Sequence, residues 1–320
     1  MHPETIEYLP LVPRPILRQH KVHEPFDTRF RAAARLLQAL WREDHQLPIG
    51  CYTNKHGRPR KLGSRLTAKA GAGGRNFLTP QTARLVRREV AYREIGSFMD
   101  EDRLRTNLLS SMPLAFNLFA PLKLDLSLAT RVMRQLLPDF LGDITQVVFE
   151  HAPGRGNPVY TGDHTAFDVV LRYRTRENQT GCLAIEVKYS ESMQEPVPVF
   201  HNRYDALIPD SGLYRDPTDP ALRTNPLQQL GREHLLAQTM VDRGLYDEAR
   251  FLVIAPRLNY HAQQAAQAYR DKLVEPAGKV RFQALTLETV IGALAEVGEP
   301  DLATVLHARY AAFERIDALI

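Results

Sequence analysis

The stretch TAFDVVLRYRTRENQTGCLAIEVKYS, residues 165–190, decides how the rest of the chain is read. It holds two runs of strand character, TAFDVVLRYR and GCLAIEVKYS, either side of the polar segment TRENQTG at 175–181. Such runs around a polar break read as two strands joined by a turn. Phe167, Val169, Leu171 and Tyr173 share one face of the first strand; Leu183, Ile185, Val187 and Tyr189 share one face of the second. Asp168 then falls on the opposite face of the first strand, and Glu186 and Lys188 on the opposite face of the second. Centring the turn on Glu177 sets Asp168 directly across from Glu186, with their Cα atoms about 4.5–5.5 Å apart. The register carries the reading, because a slip of one residue would scatter the three charges to opposite faces.

Two facing carboxylates repel each other unless positive charge sits between them. A hard divalent cation such as Mg²⁺ accepts carboxylate oxygens, keeps several waters and takes substrate phosphate as a further ligand. It lowers the pKa of a water and stabilises charge on a phosphoryl oxygen. An ammonium nearby orients that water and offsets charge at phosphorus. Asp168, Glu186 and Lys188 are therefore the minimal parts for metal-assisted phosphodiester hydrolysis. The competing reading is a cross-strand ion pair on a solvated face, since Glu-x-Lys is common in strands. An in-register Asp, an apolar opposite face and a polar-striped helix downstream favour the first reading.

Outward from the hairpin, the first 25 or so residues are proline-rich and read as an extended arm. Helical spacing marks DTRFRAAARLLQALWRE, with Asp27 or Thr28 as its start. The segment 55–75 holds Lys and Arg but no Asp or Glu, and reads as a basic loop with AGAGG at 70–74 as a flexible joint. Its glycines lack Walker spacing, and no strand is expected before them. Thr79-Pro80 opens a helix, DEDRLRTNLLSSMPLAFNLFAPLKLD is a helical layer broken near Pro113, and LSLATRVMRQLLP is a further helix. ITQVVFEHAP is a strand ahead of the hairpin. NPLQQLGREHLLAQTMVDRG is a helix with Asn225 as N-cap and Pro226 at its first position. ARFLVIAP and VRFQALT are strands separated by the helix NYHAQQAAQAYRDKLV, and two helices close the chain. The pattern predicts a mixed α/β fold: a central mixed sheet flanked by helices, behind a mostly helical N-terminal region. The expected division is an arm, helix and basic loop at 1–78, followed by a single domain at 79–320. Within that domain lie a helical layer (79–140), a sheet core (141–286) and C-terminal helices (287–320).

FDVV followed by IEVK resembles the PD-(D/E)XK nuclease superfamily. NLLSSMPLAFNLFAPL, FEHAPGR, TAFDVV, IEVKYSE and NPLQQLGREHLLA, in that order, resemble a bacterial family of restriction endonucleases within it. The likeness runs from about Gly63 to about Pro256. The longer blocks are far more specific than the three-residue motif. Phe167 stands where the superfamily's name calls for proline, a position that varies widely. The resemblance implies a restriction-endonuclease-like core and a Mg²⁺-dependent endonuclease acting on DNA, with Mn²⁺ as a substitute and RNA still open. Asp168, Glu186 and the Val187 carbonyl would hold the metal, and Lys188 would position the nucleophile. It also suggests restriction or phage defence, and a homodimer that would supply a second site.

Glu150, ending the strand VVFEH, is a candidate further carboxylate. Gln229 and Arg232 lie three apart on one helix face; the resemblance implies that a Gln on this helix reaches the site or the nucleic-acid backbone, and Arg232 is a candidate nucleic-acid contact beside it. Gln228 competes with Gln229 because the helix phase is open. Lys55, Arg58, Arg60, Lys61 and Arg65 are the candidate phosphate contacts of the basic segment. His151, His164 and His201 show no convergent metal spacing, and histidine catalysis is not expected. Ser110-Ser111 lacks a nucleophile-elbow frame and reads as a helix break.

The bulk numbers set the outer limits. The chain has 320 residues, 44% hydrophobic and 24% charged, which suits a globular protein with a sizeable core. No apolar run approaches the roughly 20 residues of a membrane span, and no signal peptide is expected. Two distant cysteines, Cys51 and Cys182, exclude a disulfide scaffold and point to a reducing, cytoplasmic setting. The net charge of +4 is a weak hint of a polyanionic partner. The alternatives carried forward are a nuclease fold that binds nucleic acid without cutting it, and an assembly protein whose triad is a surface ion pair.

Overall fold

In the computed structural model, which describes residues 7–54, 57–196, 202–274 and 280–320, the chain enters through helices α1 (Arg14–Gln19) and α2 (Arg29–Asp44). A small antiparallel hairpin follows, β1 (Ile49–Thr53) with β2 (Pro59–Leu66). Five helices come next: α3 (Ala68–Ala72), α4 (Pro80–Ala91), α5 (Glu101–Thr106), α6 (Ser111–Leu124) and α7 (Leu126–Leu136). The main sheet is built from β3 (Asp143–His151), β4 (Phe167–Arg174), β5 (Thr180–Val187), β6 (Glu248–Ala255) and β7 (Val280–Thr286). Helices α8 (Asn202–Leu207), α9 (Gln228–Asp242) and α10 (Tyr260–Arg270) lie between its strands; α11 (Leu287–Glu296), α12 (Pro300–Tyr310) and α13 (Glu314–Asp317) end the chain.

The strands lie in the order β3-β4-β5-β6-β7. The first two pairings are antiparallel and the last two parallel, so the sheet is mixed, as expected. Between β4 and β5, Val169 pairs with Ile185 and Val170 with Ala184, the register that sets Asp168 across from Glu186. Both faces are covered. Val169, Leu171, Leu183, Ile185 and Val187 join a core with residues of α2, α6, α7, α11 and α12. Val170, Cys182 and Ala184 join a second core with residues of α9 and α10. Removing each such Val, Leu or Ile side chain from water contributes about 1.5–3 kcal/mol, which is why the register is firmly specified.

Several expectations change. Phe167 packs in the second core against Phe251, not with Val169. The neighbouring strand has an irregularity here: Glu150 takes φ 50°, a rare backbone state outside glycine. The pairing stays in step from Phe149–Val169 to His151–Phe167, yet Val169 and Phe167 join different cores. The basic loop is largely hairpin and helix: β2 runs into α3, so a strand does lead into AGAGG, and most of that segment is helical, with Thr67 as cap. Local glycine content misled here, because Gly71 sits so close to the Arg105 carbonyl that a side chain would collide. The arm contains α1 and buries Leu9, Val12, Leu17 and Val22 in the main core. That core runs without a break across residues 78 and 79, because α2 packs against α12 and Gln38 bonds Tyr189 and the Arg309 carbonyl. The helical layer breaks at residues 107–110; Pro113 sits in the first turn of α6, and Ser110 caps it. Asn225 is no N-cap: α9 starts at Gln228, and the Asn225 amide donates to the Glu195 carbonyl. Lys55 and His201 lie outside the described residues.

Candidate active site

The expected triad gathers where β4 and β5 meet the start of α9. The β5 strand is buried along nearly its whole length, so Glu186 and Lys188 are each only 5% exposed. The Lys188 ammonium donates to Glu186 Oε1 at 2.5 Å and to Gln229 Oε1 at 2.9 Å. Gln229 returns its amide to Glu186 Oε1 and to Glu233 Oε1, both at 2.9 Å. Asp168 Oδ2 accepts the Val187 N–H at 2.8 Å. Lys188 instead turns its N–H to the Ile254 carbonyl of β6. Neighbouring residues of a strand alternate in direction, so the Val187 carbonyl opens on the Asp168 side. Asp168, Glu186, Glu150, Gln229, Arg232 and Glu233 line a cavity of about 470 Å³.

The electrostatics show an excess of negative charge. Burial, then repulsion from Glu186 and Glu150, pushes the Asp168 carboxyl well above the usual range. Glu150 is raised to about 7 by burial and then Glu186. Glu233 is raised by burial and then Glu186, and its Oε2 is buried with no hydrogen-bond partner. Burial works against the Lys188 ammonium, but Glu186, Glu233, Glu191 and Asp168 outweigh it and hold the proton on.

Of the sequence candidates, Asp168, Glu186, Lys188 and Gln229 are brought together, and Gln229 rather than Gln228 reaches the charges. Glu150 faces the same cavity from the end of β3. Arg232 does not offer its guanidinium to a ligand as expected. It is 7% exposed and is bound to Asp163 and Tyr204. Arg65 pairs with Asp102 at 2.9 Å and Arg60 with Glu24 at 3.4 Å, while Arg58 and Lys61 are exposed on the small hairpin. Glu233 was missed, although its four-residue spacing from Gln229 puts the two on one helix face. His151 has no metal-ligand spacing in the sequence. The structure pairs its ring with Glu94, which comes from a loop 57 residues earlier, and no sequence signal announces that contact.

Among the described residues, no three acidic, His or Cys side chains close into a cage for a metal ion. The donor set nonetheless fits a hard divalent cation. Carboxylates kept high by burial and then by mutual repulsion, an orphaned Glu233 oxygen and a backbone carbonyl suit an ion that retains waters or takes substrate oxygens.

The description of the PD-(D/E)XK nuclease superfamily matches residues 25–312, nearly the whole chain, and the protein belongs to that superfamily. Its members are nucleases, hydrolases that generally use divalent metals. No curated protein and no solved structure matches the chain. Among the described residues, no helix is long and apolar enough to cross a membrane.

Proposed function

We propose that this protein is a Mg²⁺-dependent endonuclease that hydrolyses the phosphodiester backbone of DNA. The observation that carries the reading is Lys188, fixed by Glu186 and Gln229 beside carboxylates whose charge it alone cannot balance. Asp168 and Glu186, with the Val187 carbonyl and Glu150 close by, would hold Mg²⁺, or Mn²⁺ in its place. Bound there, the ion would polarise a phosphoryl oxygen and lower the pKa of the attacking water. The remaining work belongs to the chain. Lys188 orients that water and offsets charge at phosphorus; Gln229 fixes Lys188 and Glu186 relative to each other. The water oxygen bonds to phosphorus as the bond to the leaving sugar oxygen breaks, and the water's proton passes to solvent or to that oxygen. Arg58, Arg60 and Lys61, exposed on the small hairpin, hold the backbone. Two free thiols agree with a cytoplasmic setting. The family resemblance favours restriction or phage defence, and cutting both strands would call for a homodimer.

The test is cleavage of plasmid and single-stranded DNA with Mg²⁺ or Mn²⁺, beside a Lys188→Ala control. Products that depend on metal and vanish in the control are expected. Equal activity in the control overturns the catalytic assignment, and binding without any cleavage returns the protein to a nucleic-acid-binding module.

A further inference from the structure

Tyr92, Ile95 and Phe98 are 84%, 99% and 82% exposed, three large apolar side chains within seven residues. Their loop is held at several points. Met99 is buried in the main core, and the Ser97 N–H bonds the Glu94 carbonyl at 2.9 Å. Gly96 takes φ +79°, a turn that side-chain-bearing residues rarely adopt. The Glu94 carboxylate accepts the Ala152 N–H at 3.2 Å, pairs with the His151 ring and lies 3.7 Å from Arg155. Arg155 also donates to the Glu150 carbonyl. The loop is thus anchored to the residues that flank Glu150, at the edge of the candidate active site.

The helix leading into it is basic. Arg84, Arg88 and Tyr92 are spaced by four and Arg87 lies beside them, so the four share one exposed face. Among the described residues, no carboxylate lies within ion-pair distance of Arg84, Arg87 or Arg88; nearby Glu89 is taken by Lys123 at 2.7 Å. Arg84 and Arg87 also line a cavity of about 480 Å³ with Arg75, His45 and the Arg315–Asp44 ion pair.

We infer that the loop at 92–98 is a stacking platform for unpaired bases beside the scissile phosphate, and that the α4 arginines track the backbone leading to it. The inference rests on reading the site as a nuclease and adds the state of its substrate. Cationic rows followed by exposed rings fit a single strand, whose phosphates meet the guanidinium groups while its bases meet the rings. A paired duplex keeps its base faces occupied by stacking and offers them to no side chain unless it is opened.

The experiment compares a single-stranded oligonucleotide carrying 2-aminopurines with its fully paired counterpart. Binding is read by anisotropy and 2-aminopurine fluorescence in a Lys188→Ala background, which separates binding from cutting. The combined change Tyr92→Ser, Ile95→Ser and Phe98→Ser should weaken single-strand binding roughly tenfold or more, remove the fluorescence change, and leave duplex binding and the unfolding midpoint in place. Arg84→Ala with Arg88→Ala should reduce the salt slope of single-strand binding by about 1.4. Unchanged single-strand binding in the triple variant overturns the inference while metal-dependent cleavage by the wild type leaves the nuclease reading standing. A triple variant that only shifts from oligomer to monomer also overturns it, assigning the patch to a second copy of the chain. Failure of the wild type to bind or cut any nucleic acid removes both.

Discussion

Arg232 and Lys188 are cations buried to nearly the same depth, each against a carboxylate that lines one cavity. Their surroundings differ. Asp163, the partner of Arg232, also accepts from Thr161, Tyr204 and both the N–H and hydroxyl of Thr165. Burial alone would raise that carboxyl, but the bonds from Tyr204, Thr165 and Arg232 outweigh it and hold it below its usual range. The charge there is closed. Around Lys188, one ammonium faces Glu186, Asp168 and Glu233, and the Asp168, Glu150 and Glu233 carboxyls are all pushed up. A balanced ion pair clamps the 161–165 loop to α9. An unbalanced one leaves a place for a further cation. Burial is common to both, so charge balance is what separates a structural pair from a candidate catalytic one.

The comparison can be broken by removing each cation. Arg232→Ala strands Asp163 in the interior, and about 3–5 kcal/mol of stability should be lost, read by denaturant unfolding. A smaller loss, with cleavage reduced instead, would move Arg232 into the substrate site. Lys188→Ala should lower kcat by roughly 10²–10³-fold, measured under saturating substrate and metal.

Adding Mg²⁺ or Mn²⁺ sharpens the contrast. At a hundred times its dissociation constant the ion should stabilise the fold by about 2.7 kcal/mol, and Asp168→Asn should remove that gain. No metal-dependent shift in the unfolding midpoint would count against a cation site here. The smallest effect is the pH dependence of the metal-free protein. Because the folded Glu150 pKa is raised, its contribution is fully present below about pH 4.5 and is lost as pH rises through about 7. Glu150→Gln should flatten that decline, read as the unfolding free energy of the metal-free protein against pH. Asp163 runs the other way: its contribution holds above the ordinary aspartate range and disappears as pH falls through its lowered value.

The hairpin was legible because its face pattern repeats every two residues and its turn is short, so Val169–Ile185 could be placed from the sequence alone. Gln229 was only half legible: helical phase left Gln228 as its competitor, and the packing of α9 beside Glu186 and Lys188 decides for Gln229. Glu233 lay on the same helix face, yet nothing in GREH separates a carboxylate aimed into a cavity from one in water. The basic segment was misread because glycine and charge suggest a loop, whereas β1 pairing and the Arg105 contact decide its structure. Arg232 was misassigned for a related reason: Asp163 is 69 residues away, and only the packed fold brings the two together.

The sequence by itself determined the mixed α/β class, the β4–β5 register and the convergence of Asp168, Glu186 and Lys188. Those features rest on periodicity and short-range geometry, which a chain carries locally. The tertiary structure alone decided which buried charges are balanced, that Glu94 bolts an apolar loop beside Glu150, and that the arm and α2 share the core of the sheet. Charge balance and core membership depend on groups distant in sequence meeting at close range, and no local pattern encodes that meeting.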